Sequence, residues 1–120
     1  MLTSDSNSAR IFLLMTDKIV VFCTCATEEE AGKLARVLVE ARVAACVTMV
    51  PGARSVYRWQ GAIESSAEWL LIIKSSRKLF EQLRVTVEKA HSYEVPEVLA
   101  IPVVDGAPNY LNWLEVQLGA

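Results

Sequence analysis

Histidine is almost missing from this chain: His91 stands alone among 120 residues. A single imidazole excludes the usual histidine-rich metal sets. The sequence also lacks a nucleophile elbow, a glycine-rich phosphate loop and paired carboxylates in an evident cleft, so no enzyme constellation is expected. Cysteines are few and odd in number, three in all, with Cys23 and Cys25 one residue apart. That spacing does not make a secreted disulfide framework, and a reducing, cytoplasmic setting is the expectation. Lys and Arg number 12 against 14 Asp and Glu, with a pI near 5.4. No basic stripe is available for a phosphate backbone, which excludes nucleic acid as a partner. No apolar run approaches the roughly 18 residues of a membrane helix. Met1 to Thr16 has no basic region ahead of its short apolar patch Ile11-Phe12-Leu13-Leu14-Met15, which makes it a poor signal peptide.

What the chain does have is apolar content, 52 % against the usual ~45–50 %. The chain from Ala44 to Lys74 reads as one long β-hairpin. Cys46-Val47-Thr48-Met49-Val50 is β-branched and apolar, Pro51-Gly52 interrupts it, Ser55 to Trp59 resumes it, and Gln60-Gly61 offers the turn. The return strand carries Trp69-Leu70-Leu71-Ile72-Ile73. A strand with one wet face should alternate apolar and polar residues, and this run does not. Helices of the same chain can cover one face, so a partner subunit is expected on the other.

Around the hairpin the remaining elements fall in order. Ile19 to Cys25 is a strand. Thr27-Glu28-Glu29-Glu30 forms a capping box for a helix with Ala31, Leu34, Ala35 and Leu38 on one side, running to about Arg42. Ser75-Ser76 can cap a second helix carrying Leu79, Phe80, Leu83, Val87 and Ala90. Pro96 ends that region, Val98 to Val104 is a fourth strand with Pro102 marking an edge, and Pro108 opens a short helix bearing Tyr110, Leu111, Leu114 and Leu118. The order is βαββαβ plus a terminal helix: an α+β, ferredoxin-like antiparallel sheet with two helices on one face. Residues 1–17 are expected to be an N-terminal extension, with Met15 an alternative start, and 18–120 a single domain. The bare sheet face and the hairpin tip are expected to build a cyclic oligomer.

Several motifs together resemble one family. Ala44-Ala45-Cys46-Val47 with Pro51-Gly52, Ser55 to Gly61, Leu71 to Lys74, Tyr93-Glu94-Val95-Pro96-Glu97 and Tyr110 to Leu114 are similar to the CutA family of divalent-cation tolerance proteins. The resemblance implies a homotrimer similar to the PII signalling proteins, cytoplasmic, with a role in tolerance of copper and other divalent metals. A copper site is implied near the end of the first strand. Cys23 matches the cysteine of that site and His91 the second of two adjacent histidines, while Ala90 stands at the first and Ser92 at the usual proline. Two protein ligands make a weak site unless Cys25, Glu94 or another subunit contributes. Thiolate and imidazole suit copper. An alternative is a PII-like regulatory trimer whose cleft binds a small molecule, or a scaffold with an indirect metal phenotype.

The same residues have plainer readings. Cys23, Cys25 and Cys46 are each small hydrophobes suited to a core. His91, at a helix end, suits a cap or hydrogen bond. Tyr57, Trp59 and Trp69 read as interface anchors ahead of a ligand platform. Arg54 and Arg58 are expected to pair across the hairpin with Glu64 and Glu68.

Overall fold

A computed structural model describes residues 15–119. The expected extension therefore lies outside the described residues, apart from Met15 to Asp17. Four strands, β1 (Lys18–Cys25), β2 (Cys46–Trp59), β3 (Ala62–Ser76) and β4 (Leu99–Pro102), form one antiparallel sheet in the order β2-β3-β1-β4. Helices α1 (Glu28–Glu40) and α2 (Phe80–Ala90) join them, and α3 (Pro108–Gln117) ends the chain. This is the ferredoxin-like arrangement anticipated from the element order.

Each element has a local cause. Thr27 caps α1, its Oγ1 accepting the Glu30 N–H at 3.1 Å, and three glutamates occupy the positive end of the helix. Ala31, Leu34 and Leu38 then face the sheet, with Gly32 beneath the Met49 methyl. The second helix departs from expectation at its start. Neither serine caps it: Ser75 donates instead to the Val43 carbonyl at 2.6 Å, the Ser76 hydroxyl is buried without a partner, and a 3-10 turn Arg77–Leu79 leads into α2. Leu83 and Val87 of α2 join Leu34 and Leu38 of α1 over Val21, Cys23, Leu71 and Ile73 in one core. Against the end of the sheet, α3 packs Leu111, Leu114 and Leu118 onto Ala45 and Leu79. Tyr110 is not on that buried side; it is exposed and stacks on Trp113.

The hairpin holds two special sites. Gln60 and Gly61 both have positive φ, 50° and 84°, the signature of a two-residue turn that matches strand twist. Further down, Val50 pairs with Leu70 and Ala53 with Glu68, so Pro51 and Gly52 together oppose Trp69. This is a β-bulge, with Gly52 at φ 81°. The bulge shifts the pairing register by one residue between the outer half of the hairpin and its inner half. The two-residue turn sets the register of the outer half, so Arg54 lies opposite Ala67 and Arg58 opposite Ile63, and the expected arginine–glutamate pairs do not form; Arg54 reaches Ser65 instead. Glu64 and Glu68 face Tyr57 and Ala53.

Along β1, Ile19, Val21, Cys23 and Cys25 are buried under the helices, while Val20, Phe22 and Thr24 alternate onto the opposite face. There, Phe22 sits between Leu99 and Ile72, and Val20 beside Ile101. Leu99 is 63 % exposed and Ile101 48 % exposed in the single chain. Beyond the Cys25–Trp69 pair, β2 and β3 run on as a two-stranded arm whose tip carries exposed Val56 and Ile63.

Candidate functional site

The end of β1 meets the end of α2. Because side chains alternate along a strand, Cys23 and Cys25 emerge on the same, helix-covered face, and both are fully buried. His91 follows the last turn of α2, its N–H bonded to the Val87 carbonyl, and its ring drops onto the strand end. The ligand atoms of Cys23, Cys25 and His91 all lie within 4.8 Å of one another, with His91 Nε2 3.7 Å from Cys25 Sγ. Among the described residues, this is the only convergent group of three or more such side chains. Two residues proposed from the sequence, Cys23 and His91, are thus brought together, and Cys25 joins them. Glu94 does not; it lines the neighbouring cleft. Cys46 is only half-buried, at the start of β2.

His91 is held by both ring nitrogens. Nε2 lies 2.7 Å from the Thr24 carbonyl, to which it donates, and Nδ1 accepts the Tyr93 N–H at 3.0 Å. These bonds select the tautomer protonated at Nε2. Glu30 of α1 braces the same corner: its carboxylate accepts from Ser92 N at 2.7 Å and Ala26 N at 3.4 Å and stands 3.8 Å from His91 Nδ1. Burial pushes this carboxyl up, but the Ser92 and Ala26 bonds and His91 outweigh it and hold it below the ordinary range. The capping glutamate thus reaches past its own helix. Spacing alone announced Glu30 as a cap but gave no sign of Ser92, 62 residues away.

The two thiols differ. Hydrogen bonding with Cys25, burial, and the negative charges of Glu97 and Glu30 raise Cys23 far above the usual thiol range, while Cys25, stabilised by the Cys23 S–H, is lowered. Cys25 is the thiol that ionises first, and a cation placed between the sulfurs would displace both protons. Soft sulfur and imidazole donors at this separation fit a copper-type ion better than a hard one. Ligation by His91 Nε2 would require the Thr24 bond to be given up.

Beside the cluster opens a half-open cleft of about 640 Å³, bounded by Thr24 and Tyr93 on one side and by Tyr57 and Trp59 of the arm on the other. Glu68, buried at the arm's base, accepts a hydrogen bond from Tyr93 Oη at 2.7 Å. Tyr57 bonds Ser66 across the strands at 2.9 Å. Trp69, by contrast, packs against the core rather than presenting a ring to the cleft.

The family model described as "CutA1 divalent ion tolerance protein" matches residues 19–117. A divalent-cation tolerance protein CutA of Thermus thermophilus is 44 % identical over 100 residues, covering 83 % of this chain and 97 % of that protein. A chloroplastic CutA of Arabidopsis thaliana is 46 % identical over 81 % of this chain, which spans about half (53 %) of that relative. Among solved structures, CutA from Xylella fastidiosa superposes with a TM-score of 0.84 at 39 % identity, covering 87 % of this chain and all of that one. A CutA from Archaeoglobus fulgidus, described as periplasmic, gives 0.81 at 33 % identity, covering 83 % of this chain and 97 % of that one. The last two compartments correct the expectation of a cytoplasmic protein. Cysteine number and spacing and a poor leader carry no address in a family that includes a chloroplastic and a periplasmic member. No helix among the described residues is long and apolar enough to cross a membrane.

Proposed function

Since this chain belongs to the CutA1 divalent ion tolerance family, we propose that it serves metal tolerance by binding a soft ion, copper first, at Cys23, Cys25 and His91, without catalysing a reaction. The observation that carries this is the convergence of two sulfurs and one imidazole nitrogen within 4.8 Å. Cys25 supplies the third donor that the substitution of Ala90 for a histidine would otherwise leave missing. A bound copper ion would give the site thiolate-to-metal charge-transfer character, and the chain's own part is to hold both sulfurs on one strand face and to fix the imidazole through Thr24 and Tyr93.

The protein is further read as a homotrimer. The apolar sheet face bearing Val20, Phe22, Leu99 and Ile101 supports an apolar partner surface, and the protruding arm supports edge pairing. A second reading, a PII-like module that binds a small molecule, is favoured by the cleft between the cluster and the arm.

The test of the metal reading is a titration of the reduced protein with Cu(I) against a chromophoric competitor, and with Cu(II) separately. One equivalent per chain is expected, lost in Cys23→Ser and Cys25→Ser and weakened in His91→Ala. Uptake indifferent to all three substitutions would overturn the assignment.

A further inference from the structure

The cleft has a chemistry that the thiol cluster does not use. Its wall carries the carboxylates of Glu68, Glu94 and Glu97 and the rings of Tyr57, Trp59 and Tyr93, and among the described residues no lysine, arginine or histidine lines it. Glu68 is the telling member. It is 5 % exposed, and among the described residues its one side-chain hydrogen-bond donor is the phenol of Tyr93 and no Lys, Arg or His nitrogen lies within ion-pair distance of it. A phenol donates to a carboxylate without neutralising it. A buried carboxylate lacking a counter-charge is costly in isolation. A cation entering the cleft would offset that cost.

The kind of cation follows from the arrangement. These three carboxylates are not among the convergent groups that could grip one metal ion. They are spread over a cavity of about 640 Å³, room for an extended organic molecule. Aromatic rings beside carboxylates recognise ammonium groups, the rings through cation–π attraction and contact with methylenes, the carboxylates through charge. We propose that the cleft binds an aliphatic di- or polyamine, with one ammonium at Glu68, the methylene chain along Tyr57 and Trp59, and a further ammonium at Glu94 or Glu97. This inference rests on the reading of the cleft as a small-molecule site and requires no metal at the cysteine–histidine cluster.

The experiment is calorimetric titration of the full chain with spermidine, with 1,5-pentanediol as the uncharged comparison and sodium chloride varied. Saturable binding at one site per chain is expected, weakened by added salt, absent for the diol, and about tenfold weaker in both Glu68→Gln and Trp59→Ala. Glu68→Gln retains an acceptor for Tyr93 and should fold; if it does not, Glu94→Gln and Glu97→Gln, both at exposed positions, take its place beside Trp59→Ala. No saturable heat at about millimolar spermidine, equal binding of the diol, or affinity unchanged in the variants would each overturn the proposal. Cu(I) uptake measured in the same variants keeps the two readings apart, because loss of amine binding with copper binding intact speaks only to the cleft.

Discussion

Lys18 shows how a single residue at the rim of the sheet acquires a role that its neighbours in sequence do not disclose. Its ammonium is buried, and Nζ lies 2.6 Å from both Asp17 Oδ1 and Glu115 Oε1, tying β1 to α3. Burial pulls its pKa down, but the hydrogen bonds and charges of the two carboxylates outweigh this and raise it above the ordinary 10.5. A group whose pKa is raised on folding contributes stability that is fully present below pH 10.5 and is lost as pH rises through the folded value. Urea unfolding on either side of that pH should therefore show an alkaline loss of stability, smaller in Lys18→Met; an unchanged alkaline limb in that variant would rule out Lys18 as its source. The partnership with Glu115 spans 97 residues, and that of Tyr93 with Glu68 spans 25. Neither could be read from the sequence, because side-chain pairing across the fold depends on the path of the chain. Strand alternation places Cys23 and Cys25 on one face, whereas Cys23 and His91 were singled out as ligand candidates by the resemblance to the CutA family and not by their local pattern.

At the scale of elements, the hairpin carries most of the lesson. Its turn was legible in Gln60-Gly61 and its break in Pro51-Gly52, since both pairs offer a glycine where the chain needs positive φ. What went unread is the register that this turn imposes on the outer half. The two-residue turn puts Ala53 opposite Glu68 and Arg54 opposite Ala67, so the anticipated arginine–glutamate ladder gives way to Glu68 beneath Tyr93 with Arg54 on the other face. Gly61→Val meets no steric obstacle but must adopt φ near 84°, and should cost about 1–3 kcal/mol in chemical denaturation. A cost near zero would mean the turn relaxes to another form. The helices were legible in their apolar spacing, while the start of α2 was not, because Ser75 is drawn to the Val43 carbonyl and leaves a 3-10 turn to make the transition.

The whole molecule is a sheet with one face covered by its own helices and the other carrying Val20, Phe22, Ile72, Leu99 and Ile101. The unbroken apolar run of β3 announced this second face, since only a strand flanked by two apolar layers dispenses with alternation. If that face joins three chains, light scattering should give about three times the 13.3 kDa chain mass, and Leu99→Glu should lower it by placing a charge in the interface. A wild-type mass of one chain would remove the trimer. The compartments of the relatives, by contrast, were not legible, because the packing of the domain carries no address. The account turns on the joint between β1 and α2, and the most direct test of it is the X-ray absorption spectrum of the copper-loaded, reduced protein. Sulfur ligands to the metal together with an imidazole, the sulfur contribution disappearing in the double variant Cys23→Ser, Cys25→Ser, is the predicted result. A spectrum of oxygen and nitrogen ligands alone, the same in that variant, would contradict it.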